Sequence, residues 1–168
     1  FDVIMTKSFN VEALYLDRGH KKFGDEGGLM SARLIEDFFV LQFGNLLTLS
    51  LNSNCISDES GVAIGAALKN NKVLQTLLLN DNQIGDDGAW EIGQSLAKNT
   101  SLLRLDLSKN YVQNRGGVRI GEVLRDENRS LRWFNISFNL MSDKVVPLYR
   151  EVIRKNKKLN TFTFEGNQ

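Results

Sequence analysis

The sequence predicts an α/β fold built from stacked strand–helix repeats, and two observations carry that prediction. The phrase L-x-x-L-x-L-x-x-N-x-I recurs along the chain, and each full copy leads into a stretch with the apolar spacing of a helix. The first leucines of the copies, separated by 28, 28, 29 and 28 residues, are Leu46, Leu74, Leu102, Leu131 and Leu159. One such unit cannot bury its own apolar face, so the units are expected to stack and bury it on each other.

The first half of each unit reads as a short strand. In the copy that starts at Leu74, Leu77 and Leu79 alternate with Leu78, so the first two enter the core while Leu78 points the other way. An asparagine ends each phrase where the chain leaves the strand, and its amide can satisfy backbone groups of neighbouring turns. We therefore expect a structural ladder formed by Asn54, Asn82, Asn110, Asn139 and Asn167.

The second half of each unit reads as a helix. Ile64 and Leu68 recur at the same spacing in later repeats and define one apolar face. Glycines sit beside that face, at Gly65 and its equivalents, and each costs about 1 kcal/mol against alanine inside a helix. Their recurrence predicts close packing of the helices against the sheet. Acidic residues at the helix starts are expected to cap the helices or to oppose their dipoles: Asp58, Asp86 and Asp143.

The phrase and its 28-residue period resemble a leucine-rich repeat, and the full helix in each unit is similar to the ribonuclease-inhibitor-like branch. The resemblance covers nearly the whole chain. It implies a curved solenoid of about six repeats, with parallel strands on the concave face and helices on the convex face. The branch includes Ran GTPase-activating proteins, tropomodulin-like actin caps, NOD-like receptor repeats and ciliary scaffold proteins. Ribonuclease inhibitors themselves are cysteine-rich, and this chain departs from them because it has one cysteine, Cys55.

We expect a single leucine-rich repeat domain over residues 1–168. Its repeats are expected at approximately 11–45, 46–73, 74–101, 102–130 and 131–158, with a partial repeat at 159–168. The terminal repeats are atypical, since extra residues around Phe38 to Phe43 lengthen the first and Pro147 and Arg150 alter the fifth. The chain stops just after the last ladder asparagine, so we expect it to be a fragment of a longer protein. Its last strand, Asn160 to Phe164, then offers an apolar edge for weak self-association.

Composition argues against several classes of function. With 21 basic and 20 acidic side chains, bulk charge indicates neither nucleic-acid nor membrane-surface binding. A single histidine, His20, and a single cysteine argue against a histidine-based triad or a Cys/His zinc site, and no phosphate loop of the G-x-x-x-x-G-K-[ST] type occurs. We therefore expect no enzymatic activity, no cofactor and no metal. The lone cysteine suits a reducing compartment, so we expect a cytoplasmic location, with cytoskeletal or ciliary association implied by the relatives.

Side chains between the buried leucines point out of the predicted sheet and are the candidates for binding a partner. Trp133 and Phe138 stand out there, with Arg104 one repeat away from Trp133 in the same column. Exposed aromatic residues beside arginine are typical of interface hot spots. The alternative is that Arg104 merely stacks on Trp133 and shields it. The predicted protein-binding residues are Tyr15, Leu78, Arg104, Asp106, Trp133, Asn135 and Phe138.

The sequence thus predicts a non-enzymatic scaffold that binds a protein partner, of unknown identity, on its concave face. Two alternatives stay open. GTPase activation is implied by the resemblance to the Ran-directed relatives, which act through polar residues on loops at one rim. Actin pointed-end binding is implied by the phrases ALKNNKVLQTL and SLAKNTSLLRL, which resemble the repeats of tropomodulin.

Overall fold

The structure, a computed structural model, describes residues 24–37 and 46–168, and the backbone of residues 13–15. Expectations at His20, at Phe38 to Phe43 and for the side chain of Tyr15 lie outside these described residues.

The described strands form one parallel sheet in the order in which they occur along the chain. Each has three residues, and they are β1 (Ala13–Tyr15), β2 (Thr48–Ser50), β3 (Thr76–Leu78), β4 (Arg104–Asp106), β5 (Trp133–Asn135) and β6 (Thr161–Thr163). The register places equivalent residues side by side, as with Leu77, Leu105 and Phe134 at the strand centres. Every repeat therefore adds one strand beside the strand of the repeat before it, as the sequence period predicts.

A helix follows each of the first five strands. The helices are α1 (Gly24–Asp37), α2 (Asp58–Asn70), α3 (Asp86–Leu96), α4 (Asn114–Asp126) and α5 (Val146–Lys155), the last preceded by a 3-10 turn at Asp143–Val145. Each helix packs on the helix of the neighbouring repeat. Between the helices and the sheet lies one continuous core of fully buried leucine and isoleucine side chains, including Leu49, Leu77, Leu105, Ile64, Ile92 and Ile120. This arrangement is the predicted α/β solenoid of leucine-rich repeats.

The recurring helix glycines serve a different contact from the predicted one. A Cβ atom on Gly65 would lie 2.7 Å from the backbone carbon of Glu91 and 2.7 Å from the backbone nitrogen of Ile92, both in α3. Likewise a Cβ atom on Gly93 would lie 3.2 Å from the backbone nitrogen of Ile120 in α4. The prediction of close packing against the sheet is therefore wrong. These glycines let each helix approach the backbone of the next helix.

Two of the three acidic residues predicted at the helix starts, Asp58 and Asp86, cap the neighbouring repeat and not their own helix. Asp58 is the first residue of α2, and no side-chain hydrogen bond is made at the N-cap of that helix. Its Oδ1 accepts hydrogen bonds from the backbone N–H groups of Gly85 and Gly88, each at 2.8 Å, at the start of α3. Because all the helices run the same way, a carboxylate at one N-terminus lies within reach of the unpaired amides of the next. The capping expected from the sequence therefore takes place between repeats.

The predicted asparagine ladder is present and also bridges repeats. The Oδ1 atom of Asn110 accepts the N–H of Ile84 in the preceding repeat, while its Nδ2 donates to the carbonyls of Leu79 and Leu107. A second ladder, which the sequence reading missed, runs along the helix C-terminal ends. There Asn128 donates to the carbonyls of Leu96 and Asn99. Its members are Asn71, Asn99, Asn128 and Asn156.

Candidate protein-binding surface

The outward side chains of β2 to β6 form a surface that we call the strand face. It consists of the first and third residue of each of these strands, since the second residues enter the core or pack against it. Parallel register sorts these side chains into two rows, one along the strand starts and one along the strand ends. Of the predicted residues, Arg104 and Trp133 lie side by side in the first row. Leu78, Asp106 and Asn135 lie side by side in the second.

Arg104 and Trp133 form the most distinctive contact on this face. The guanidinium carbon of Arg104 lies 4.1 Å from the centroid of the Trp133 ring, within the range of a cation–π interaction. Arg104 is exposed and Trp133 is half-buried. The predicted stacking alternative is thus the arrangement found, and it leaves a fixed aromatic–guanidinium pair with part of each group open to solvent.

The polar residues of the second row take part in local structure. Asp106 accepts hydrogen bonds at Oδ1 from the backbone N–H of Ser108 at 3.0 Å and from its hydroxyl at 2.6 Å. Asn135 accepts the N–H of Ser137 in the same way at 3.0 Å. Both side chains hold the turn that ends their strand, so only part of their hydrogen-bonding capacity faces outward. Leu78, half-buried beside them, supplies the apolar part of this row.

Phe138 lies apart from the other predicted residues, on the loop that follows β5. Its backbone φ is 55°, a left-handed conformation that bulky residues rarely adopt. Gly166 takes the equivalent place one repeat later with φ 69°, and a Cβ atom there would lie 2.3 Å from the Phe138 ring. The ring therefore rests on the backbone of the next repeat, yet Phe138 stays 51% exposed.

Two more apolar side chains on the same loops escaped the sequence reading. Tyr111 is 54% exposed and Leu140 is 38% exposed, and both directly follow a ladder asparagine. The signal was in the sequence, because earlier repeats carry Cys55 and Gln83 at this position while Tyr111 and Leu140 are larger and more apolar. We call Tyr111, Phe138 and Leu140 the apolar rim.

Charge on the strand face depends on position along the strands. Arg104 begins β4, and Arg132 immediately precedes β5. Asp106 ends β4, and Asp81 and Glu165 follow the ends of β3 and β6. Lys109 takes the place of Asp81 one repeat later, so three carboxylates stand against one lysine there. The strand starts are therefore cationic and the strand ends net negative, although the formal net charge of the whole chain is only +1.

Two groups with a shifted pKa, the Asp25 carboxyl and the Tyr149 hydroxyl, lie away from the strand face and serve the fold. Burial works to raise the pKa of the Asp25 carboxyl, but hydrogen bonds from Ser60 and Ser57 outweigh it and hold that pKa below its ordinary value. Burial raises the pKa of the Tyr149 hydroxyl, which donates to the carbonyl of Gly117 at 2.9 Å. Among the described residues, no three His, Cys, Asp or Glu side chains come together in a way that could hold a metal ion.

None of the helices in the described ranges combines the length and the apolar content that crossing a bilayer demands. In a sequence search, no curated protein reaches a significant match to the chain.

A family model described as leucine-rich repeat matches residues 45–65, 70–93 and 98–121. Among solved structures, the chain is similar to the actin-binding site 2 of leiomodin-1, with a TM-score of 0.67 and 19% identity over 83% of this chain and 78% of that one. It is also similar to the C-terminal domain of tropomodulin from Caenorhabditis elegans, with a TM-score of 0.57 and 14% identity over 89% of this chain and 86% of that one. At these identities the two likenesses concern the fold. Together with the matched repeats and the sheet that they build, they show the fold of a leucine-rich repeat protein, consistent with the ribonuclease-inhibitor-like branch.

Proposed function

We propose that this chain is a non-enzymatic scaffold that binds a partner protein on its strand face, with the Arg104–Trp133 pair at the centre of the contact. Tryptophan and arginine are the side chains most enriched among binding hot spots. Here the two are adjacent, partly open to solvent and mutually oriented by a 4.1 Å stacking contact. That pair is the observation that carries the proposal.

Hydrogen bonds between repeats form the surface around the pair before any partner binds. Both asparagine ladders and the carboxylate caps join each repeat to the next, so the strand face is held by hydrogen bonds on both of its sides. A preformed surface loses little conformational entropy on binding, and that favours affinity.

The size of the strand face indicates that the partner also contacts the flanking loops. Even all six strands of the sheet, spaced about 4.8 Å apart and each about 10 Å long, cover roughly 240 Å². Stable complexes bury about 800 Å² on each partner. We therefore include Tyr111, Phe138 and Leu140 of the apolar rim in the proposed interface, because they extend it beyond the strand ends.

Actin is the most specific candidate for the partner. This candidate is supported by the two similar structures, an actin-binding site of leiomodin-1 and a domain of tropomodulin. A cytoskeletal location for this chain follows from the same proposal. Sedimentation with purified actin filaments, and elongation of pyrene-labelled actin from gelsolin-capped filaments, test it directly. Filaments that neither carry the chain down nor elongate more slowly exclude actin as the partner.

GTPase activation, the other implied activity, draws no support from the described residues and stays a prediction. It is tested by adding the chain to a panel of small GTPases loaded with GTP. Unchanged hydrolysis rates exclude it.

The two tryptophans provide a matched test of the binding surface. Trp133 on the strand face stacks with Arg104, whereas Trp90 on the helices lies 5.2 Å from the guanidinium of Arg115. Immobilised wild type, Trp133→Ala and Trp90→Ala are used to capture proteins from a cell extract, and each captured protein is quantified. We expect a partner that Trp133→Ala loses and Trp90→Ala retains. Equal recovery of every protein on all three baits rejects the assigned surface.

A further inference from the structure

The C-terminal half of the chain has a concentrated positive edge. It is formed by the C-terminal ends of α4 and α5 and by the loops that lead from them to β5 and β6. We call it the basic edge, and its cations are Arg125, Arg129, Arg132, Arg154, Lys155, Lys157 and Lys158. Four carboxylates lie among these seven cations, namely Glu122, Asp126, Glu127 and Glu151. The edge therefore keeps a surplus of three positive charges.

Compensation of the helix dipoles does not account for that surplus. The C-terminus of a helix carries the equivalent of about half a negative charge, so α4 and α5 together offset roughly one cation. Local ion pairs account for Arg125 with Asp126 and for Arg154 with Glu151. The other five cations of the basic edge form no ion pair with any carboxylate in the described ranges.

Two of these five cations are held in place by the backbone. Arg129 donates from Nη1 to the carbonyl of Asn128 at 2.8 Å and from Nη2 to that of Arg125 at 3.1 Å. Arg132 donates from Nη1 to the carbonyls of Arg129 and Lys158, each at 3.3 Å. Neutral carbonyls fix the guanidinium groups without cancelling their charge. The positive potential therefore has a defined position before any partner arrives.

The basic edge is continuous with the binding surface proposed above. Arg132 immediately precedes Trp133, and the backbone N–H groups of both residues donate to the carbonyl of Leu103, which precedes Arg104. The basic edge thus begins where the strand that carries Trp133 begins, and a partner that extends from the Arg104–Trp133 pair past the strand start reaches Arg132.

We propose that the basic edge and the Arg104–Trp133 pair together receive an acidic segment of the partner protein. This proposal rests on the function proposed above and names the chemistry of the partner at that site. A short acidic segment suits the surface because the strand ends, about 10 Å from the strand starts, carry more negative than positive charge: Asp81, Asp106 and Glu165 against Lys109. A long polyanion laid across the strands meets these carboxylates and is repelled. Arg104 also lies over one face of the Trp133 ring, so that face is not available for stacking a nucleic-acid base.

The test uses a fluorescein-labelled peptide of eight glutamates, whose binding to the whole chain is followed by fluorescence anisotropy. The edge variant is Lys157→Glu with Lys158→Glu. The control variant, Lys69→Glu with Lys144→Glu, changes the net charge equally at exposed lysines away from the basic edge. We expect the edge variant to bind the peptide roughly tenfold more weakly than wild type, because two attractive contacts become repulsive. The control variant is expected to bind within about twofold of wild type.

Three outcomes overturn the proposal. They are absence of peptide binding by wild type, equal weakening in both variants, and tighter binding of a 20-nucleotide oligothymidine than of the peptide at equal salt. The first outcome rejects an acidic ligand. The second shows that net charge, and not the position of the lysines, explains the weaker binding. The third favours nucleic acid as the ligand. The peptide test and the capture test distinguish the two proposals. If the peptide does not bind but a protein is captured by wild type and lost with Trp133→Ala, the acidic site is rejected and the scaffold function is still supported. If the peptide binds but no such protein is captured, the acidic site is supported and the assigned scaffold surface is not.

Discussion

Asp86 of one repeat caps the helix of the next, with its Oδ1 accepting the backbone N–H of Gly116 at 2.8 Å. The same oxygen accepts the N–H of Gln113 at 2.9 Å. Asp58 makes the equivalent pair of hydrogen bonds to the start of α3. Capping is therefore a contact between repeats, and it links the stability of each helix to the presence of its neighbour.

Replacing Asp86 with alanine is expected to lower the free energy of unfolding by about 1–2 kcal/mol, because it uncaps two amides at the start of α4. Asp87 is the matched control, since it is also in the first turn of α3 but pairs only with the exposed side chain of Arg115. Asp87→Ala is expected to cost less than about 0.5 kcal/mol. Urea unfolding of both variants measures the difference, and equal losses contradict capping between repeats.

Two helix glycines allow a contact with backbone atoms to be compared with a contact with a flexible side chain. Gly65→Ala brings a methyl group to 2.7 Å from backbone atoms of α3, whereas Gly117→Ala brings it against the side-chain sulfur of Met141. Both substitutions gain about 1 kcal/mol in helix propensity. Overpacking costs roughly 1–3 kcal/mol, and we expect the cost to be larger where backbone atoms must move. Gly65→Ala should therefore unfold at lower urea concentration than Gly117→Ala, and the reverse order contradicts the backbone contact between α2 and α3.

The depressed pKa of the Asp25 carboxyl leads us to expect that the protein is less stable in acid. Hydrogen bonds from Ser57 and Ser60 keep the pKa of its carboxyl below the unfolded value of about 3.9. A depressed pKa contributes stability that is complete above the unfolded pKa and disappears as the pH falls through the folded pKa. The free energy of unfolding should fall as the pH drops below about 4, and Asp25→Asn should reduce that fall. The exposed neighbour Glu26 provides the control Glu26→Gln. The same acid dependence in wild type and Asp25→Asn contradicts the assignment.

The strand β6 predicts weak self-association or local fraying. Among the described strands it is paired on one side, with β5. Phe162 within β6 and Phe164 just after it are only half-buried, although both rings pack on Tyr149 with centroids 5.1 and 5.0 Å away. An apolar strand edge tends to pair with another chain. Sedimentation at several concentrations and hydrogen exchange along the strands test this. A strict monomer whose β6 amides are as protected as those of β4 rejects the prediction.

The sequence alone determined the architecture, because a leucine-rich repeat encodes its buried side chains locally. Leu77 and Leu79 alternate within one strand, and Asn82 marks the end of that strand. Those features depend on the periods of strand and helix, which can be read within a single repeat. The first asparagine ladder and the parallel order of the strands followed from repetition of the same unit.

Only the tertiary structure decided which partner each polar group takes. Asp58 could be placed at a helix start from the sequence, but its hydrogen bonds to Gly85 and Gly88 depend on how α2 and α3 lie side by side. The stack of Arg104 on Trp133 depends in the same way on the register of β4 and β5. Residues about 28 positions apart come together only when the repeats superpose. Local periodicity fixes the direction of a side chain within its repeat, whereas its contacts depend on the distance and angle between repeats.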